Sequence, residues 1–121
     1  MEQKRLLIVE DEKPLSQVLD LKLTNAGFET KVAHDGVEAI DVISKENFDL
    51  IILDLILPFK NGFDVIEEII SRGIKTPVIV LSNLSQKDDK ERVASLANYK
   101  YFVKADVSME SLVEYIKENL K

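Results

Sequence analysis

The 121-residue chain contains no cysteine, which excludes a disulfide framework and thiol chemistry and fits a cytoplasmic protein. Its one histidine, His34, has no partner spaced to make it a ligand or a base, so it reads as a surface turn residue, and zinc has no His/Cys cluster to hold it. Long apolar runs are also missing. No stretch approaches the roughly 18 uninterrupted apolar residues of a membrane span, and Leu6 to Val9, ahead of Glu10, is too short for a signal-peptide core. Repeats, linkers and low-complexity tracts are absent. Positive charge is scarce: 16 Lys and Arg stand against 22 Asp and Glu, a net charge of -6. The field of such a molecule repels nucleic acid and anionic membranes, so neither is expected as a direct partner.

What remains suits one compact unit. The length lies near the commonest domain size and 45% of the residues are apolar, enough for one core, so residues 1–121 are expected to form a single domain. Leu6–Val9, Thr30–Ala33, Leu50–Leu53, Val78–Leu81 and Tyr101–Val103 are short apolar or β-branched runs that read as five strands. Between them the period changes. Leu15, Val18, Leu19, Leu23 and Ala26 recur as one face of a helix that Gly27 closes with a left-handed cap. Val37, Ile40 and Ile43, opened by Asp35-Gly36, mark a second; Phe63, Ile66, Ile69 and Ile70, ended by Gly73 and Pro77, mark a third. Met109, Leu112, Val113, Ile116 and Leu120 mark the last.

A fourth helical segment is thinner. Residues 85–92 hold no apolar side chain before Val93, Leu96 and Ala97, while Ser85 and Asp88 can form a capping box. Local capping rather than core contact should hold that segment, which makes it the element readiest to shift.

Strands alternating with helices call for an α/β fold, a doubly wound parallel sheet between two helical layers, because parallel strands need right-handed crossovers. Such sheets bind ligands beyond the carboxyl ends of their strands. The polar candidates all lie there. Glu10-Asp11-Glu12 follows the first strand, Asp54 interrupts the apolar run from Leu50 to Pro58, Ser82 ends the fourth strand and Lys104 the fifth. A carboxylate inside an apolar run is costly unless paired. Grouped at one rim, Glu10, Asp11 and Asp54 would repel one another by several kcal/mol, about 4 for a pair at 4 Å and an effective dielectric of 20, which a hard divalent cation would relieve. Oxygen ligands with room for water suit Mg²⁺.

These residues, in this order, resemble the receiver domain of two-component response regulators, of the chemotaxis-regulator type, along essentially the whole chain. The motifs are Val9-Glu10-Asp11-Glu12, Leu53-Asp54-Leu55-Ile56-Leu57-Pro58 with Gly62 four residues on, Val80-Leu81-Ser82, and Tyr101-Phe102-Val103-Lys104. The resemblance implies a flavodoxin-like (βα)5 three-layer sandwich with strand order 2-1-3-4-5 and a place in a phosphorelay. Asp54 would accept the phosphoryl group, and Glu10, Asp11, Asp54 and the backbone carbonyl of Ile56 would hold Mg²⁺. Lys104 and Ser82 would meet the phosphoryl oxygens, and Tyr101 would follow Ser82 inward, switching the helix 4/strand 5/helix 5 face. Ile56 and Asn83 would line access to the site. Implied partners are a sensor histidine kinase or phosphotransfer protein and a downstream effector or output domain, with a phosphorylation-dependent dimer as a further expectation. The domain would be a phosphoacceptor that assists its own phosphorylation and dephosphorylation rather than an enzyme.

Five positions depart from the family's usual residues. Ala105 follows the lysine where proline, often with a cis bond, is usual; here the bond is either trans or strained. Asn83 replaces a small residue, and Glu10 replaces the commoner Asp. Ala97-Asn98 replaces Gly-Ala, and Asn98 is a residue that tolerates the left-handed conformation. Two other functions compete. A receiver-like interaction module would work without phosphorylation, and a haloacid-type phosphohydrolase would need Asp-x-Asp, where this chain has Ile56.

Overall fold

The computed structural model describes residues 3–83, 91–93, 95–96 and 98–120. Its strands are β1 (Arg5–Val9), β2 (Glu29–Ala33), β3 (Leu50–Leu53), β4 (Val78–Ser82) and β5 (Tyr99–Val103), and its helices are α1 (Lys13–Asn25), α2 (Gly36–Lys45), α3 (Gly62–Ser71) and a C-terminal helix (Met109–Asn119). They form one five-stranded sheet of order β2-β1-β3-β4-β5 in which every pairing is parallel. This is the expected flavodoxin-like architecture. The Ser85–Asp88 capping box and Ala97 lie outside the described residues. Of the expected fourth segment, residues 91–93 are helical, Val93 is fully buried, and Leu96 packs against the core.

The inner strands β1, β3 and β4 are almost wholly apolar and buried because both faces are covered, whereas the edge strands β2 and β5 carry exposed Glu29, Lys31 and Lys100; alternation along the strands sorts side chains into two cores. Leu7, Val9, Ile51, Leu53, Val78 and Val80 meet α2 and α3 through Ala39, Val42, Ile43, Val65, Ile66 and Ile69. Leu6, Ile8, Leu50, Ile52, Ile79 and Leu81 meet α1 and the C-terminal helix through Leu19, Leu23, Leu112 and Ile116. Three strands begin ahead of their apolar runs, β1 by one residue at Arg5. Pairing with β1 carries β2 back to Glu29, and pairing with β4 carries β5 back to Tyr99.

Three side chains expected to face inward point to solvent instead: Val18, Val37 and Ile70 are 41%, 52% and 50% exposed. Each lies next to the true buried stripe, about 100° around the helix. In α1 the stripe is Ser16, Leu19 and Leu23; in α2 it is Gly36, Ala39, Val42 and Ile43; in α3 it is Gly62, Val65, Ile66 and Ile69.

The helix ends follow the sequence cues. Gly27, at φ +100°, lets Phe28 N–H reach Leu23 O and Gly27 N–H reach Thr24 O, closing α1 as a Schellman turn. Asn98 does adopt the left-handed conformation, at φ +68°, and no peptide bond among the described residues is cis, so Lys104–Ala105 is trans.

Candidate functional site

Ladder hydrogen bonds run one residue past β1 and β3. Glu10 N–H donates to Ala33 O and Asp54 N–H to Val9 O, both at 3.0 Å, so the two carboxylates are fixed side by side at the sheet's rim. Glu10 is 2% exposed and Asp54 4%. Asp11 extends toward solvent, yet one oxygen from each of Glu10, Asp11 and Asp54 falls within 4.8 Å of the others.

Lys104, the residue after β5, brings the countercharge. Its Nζ lies 2.8 Å from Asp54 Oδ2, 2.8 Å from Glu10 Oε1 and 2.8 Å from Glu12 Oε2. The other Asp54 oxygen, Oδ1, accepts the Ile56 N–H at 3.0 Å, and Glu10 Oε2 accepts the Glu12 N–H at 3.1 Å. Burial pushes the Glu10 carboxyl up to about 7, against the pull of Lys104 and of the Glu12 N–H. Burial alone would lower the Lys104 ammonium, but its hydrogen bonds to Asp54, Glu10 and Glu12 outweigh that and hold it above its ordinary value. Three carboxylates around one ammonium, with Asp11 beside them, leave an excess of negative charge, and every donor is an oxygen. That donor set fits Mg²⁺ rather than a softer ion.

A cavity of about 170 Å³ opens over this group, lined by Asp11, Glu12, Asp54, Ile56, Asn83 and Lys104. Ile56 is 54% exposed and forms part of its wall, so the position two residues after Asp54 carries no second carboxylate. Ser82 ends β4 opposite Val103, fully buried beneath the rim. Tyr101 is half-buried, packing on the α2/α3 side of the sheet. His34 ends up exposed, as expected, with Nδ1 3.3 Å from the Glu10 carbonyl oxygen.

Two glycines let the backbone close around the site. Gly62 N–H donates to Leu55 O, and a Cβ there would lie 2.4 Å from Leu55 Cα and 2.6 Å from the Asp54 carbonyl oxygen. Gly36, at the start of α2, meets the Lys60 carbonyl at a distance that leaves no room for a Cβ. The loop after β3 is therefore held from both sides.

Thus Glu10, Asp11, Asp54 and Lys104 are brought together and Ile56 and Asn83 line the cavity over them, while Ser82, buried at the end of β4, and Tyr101, packed against the α2/α3-side core, are not among its lining residues. Sequence reasoning missed Glu12 as a partner of Lys104. Nothing in the sequence marked it: Glu12 stands at the N-cap of α1 without a side-chain cap hydrogen bond there, and its carboxylate instead meets Lys104 Nζ. It also missed the contact between Asn83 and Ala105, whose N–H donates to Asn83 Oδ1 at 3.0 Å.

Known proteins resemble this chain along nearly its whole length. The family model for the response regulator receiver domain matches residues 6–117. Among solved structures, the Francisella response regulator 1452 receiver domain is 29% identical over 98% of this chain and 100% of its own, with a TM-score of 0.86. The chemotaxis response regulator CheY4 of Vibrio cholerae is 26% identical over 98% and 100%, TM-score 0.85. The response regulator TrrA of Thermotoga maritima, solved in complex with Mg(2+)-BeF, is 30% identical over 98% and 100%, TM-score 0.82. No helix among the described residues is long and apolar enough to cross a membrane.

Proposed function

The chain belongs to the response regulator receiver domain family, and from that premise we propose that Asp54 accepts a phosphoryl group in a phosphorelay. The observation that carries this reading is the Asp54–Lys104 contact at 2.8 Å, set beside Glu10 and Asp11 under an open cavity. A carboxylate is a competent nucleophile toward phosphorus. One Asp54 oxygen forms the new P–O bond, while the donor's bond to phosphorus breaks and its electron pair leaves with the donor: an imidazole nitrogen of a phosphohistidine, or the acetate oxygen of acetyl phosphate.

Phosphoryl transfer is catalysed chiefly by positioning and by cations at the phosphoryl oxygens. Glu10, Asp11, Asp54 and the Ile56 carbonyl are the groups that would hold Mg²⁺, as the Mg(2+)-BeF complex of the Thermotoga relative and the all-oxygen cluster here suggest; the ion supplies charge neutralisation at those oxygens. Lys104 moves from the carboxylates to the incoming phosphoryl group. The Ser82 hydroxyl donates to another phosphoryl oxygen, and Tyr101 follows, shifting the face made by the fourth helical segment, β5 and the C-terminal helix. Asn83 and Ile56 set the width of the entrance. The donor would be a sensor histidine kinase or phosphotransfer protein, and the reader an effector, an output domain or a second phosphorylated copy. We read residues 1–121 as one such domain, working in the cytoplasm and assisting its own phosphorylation and dephosphorylation.

Acetyl phosphate with Mg²⁺ should add one phosphoryl group, seen by intact-mass spectrometry and not formed when EDTA is present from the start. A folded protein that gains no adduct would favour the phosphorylation-independent interaction module.

A further inference from the structure

Two of the chain's departures from the family's usual residues meet in space. Asn83 immediately follows Ser82, and Ala105 immediately follows Lys104; the Ala105 N–H donates to Asn83 Oδ1 at 3.0 Å. Only a residue other than proline at 105 has that N–H, and only a side chain with an acceptor at 83 can receive it. A small apolar residue at 83 and a proline at 105 would each abolish the bond. The two substitutions therefore behave as a matched pair.

The bond's position gives it leverage on the chemistry. A planar peptide unit joins Lys104 to Ala105, so fixing the Ala105 nitrogen fixes the plane from which the Lys104 side chain departs. That side chain reaches Asp54, Glu10 and Glu12. Asn83 and Lys104 also line the same 170 Å³ cavity over Asp54. Because Oδ1 faces the Ala105 N–H, the rest of the carboxamide is held in one orientation at the cavity wall. The turn that receives this bond, Lys104–Asp106, is a single 3-10 turn with no side-chain cap, so Asn83 is its tie to the sheet's neighbouring strand.

We propose that Asn83 is a positioning residue: its carboxamide latches the loop after β4 to the loop after β5, holding Lys104 in register with Asp54. The inference deepens the phosphoacceptor reading and rests on it. With the latch closed, Lys104 is presented to the phosphoryl group without a search of loop conformations. When Ser82 is drawn toward the phosphoryl group, the same bond carries the β5 loop with it, so the two loops respond as one body.

The test is a double-mutant cycle on the full chain with Asn83→Ala, Ala105→Pro and the pair. Acetyl phosphate and Mg²⁺ are the probes, phosphorylation is followed by intact mass, and the Ala105 amide and Lys104 Nζ are followed by NMR. Asn83→Ala should speed exchange of the Ala105 amide about tenfold and shift the Lys104 Nζ resonance. The phosphorylation rate at saturating acetyl phosphate should fall about fivefold, with half-saturation nearly unchanged. Ala105→Pro should have the same effect, and the pair no more than either alone. Unchanged Ala105 exchange and Lys104 resonance in Asn83→Ala, or rate losses that multiply in the pair, would overturn the latch. If Ala105→Pro does not fold, the two NMR readouts in Asn83→Ala decide alone. A wild-type protein that takes no phosphoryl group sinks the phosphoacceptor reading, while those readouts still decide whether Asn83 holds Lys104.

Discussion

Lys104 Nζ stands 2.8 Å from Asp54 Oδ2 and equally close to Glu10 Oε1, so one ammonium from the end of β5 bridges two buried carboxylates from the ends of β1 and β3. Glu12, exposed, makes the third contact.

Replacing Lys104 by Met keeps the side chain's length and removes its charge. Two nearly buried carboxylates then lose their countercharge and keep only the Ile56 and Glu12 N–H groups, and breaking such a pair from one side costs roughly 3 kcal/mol or more. Urea unfolding at pH 8 should show a loss of that order, and Mg²⁺ should restore more stability to Lys104→Met than to the wild type. Equal stabilisation of both proteins by Mg²⁺ would argue against a shared role for lysine and metal.

Glu10 makes the site sensitive to pH. Its carboxyl is raised from 4.5 to about 7. A group raised on folding contributes stability that is fully present below its unfolded value, about pH 4.5, and is lost as pH rises through the folded value, about 7. Above pH 7 the metal-free fold carries an ionised, desolvated Glu10. The stability of the wild type minus that of Glu10→Gln should therefore fall between pH 5 and 8, by about 1–3 kcal/mol, and Mg²⁺ should stabilise the wild type more at pH 8 than at pH 5.5. A flat difference across that range in urea titrations would show that Glu10 ionises normally.

Gly62 is tied to Asp54 through backbone alone. An added methyl group would meet the Asp54 carbonyl oxygen at 2.6 Å and Leu55 Cα at 2.4 Å, and neither can move without shifting the strand end. Gly62→Ala should cost about 2 kcal/mol and weaken Mg²⁺ binding measured by calorimetry. Thermal unfolding and Mg²⁺ affinity both at wild-type values would mean that the loop after β3 adjusts without disturbing Asp54.

The sheet was legible because each buried strand is a continuous apolar run, and the site because its polar residues sit one after another at strand ends. What escaped did so for physical reasons. In helices of ten to thirteen residues, adjacent apolar residues compete for one inner position, as Val18 does with Leu19 and Ile70 with Ile69, while at the start of α2 the inner position belongs to Gly36 and leaves Val37 outside. Glu12 reads as a helix-dipole residue until the reach of Lys104 is known. Asn83 and Ala105 read as two unrelated departures, since nothing local links residues 22 apart; only the parallel pairing of β4 with β5 puts their loops side by side.

The account turns on Asp54 as the nucleophile. After treatment with acetyl phosphate and Mg²⁺, borohydride reduces an aspartyl phosphate to homoserine, which peptide sequencing by mass spectrometry can place. The account predicts homoserine at position 54, none at Asp11 or elsewhere, and no adduct in a folded Asp54→Asn variant. Label at another carboxylate, or an adduct that persists at full yield in Asp54→Asn, would contradict it.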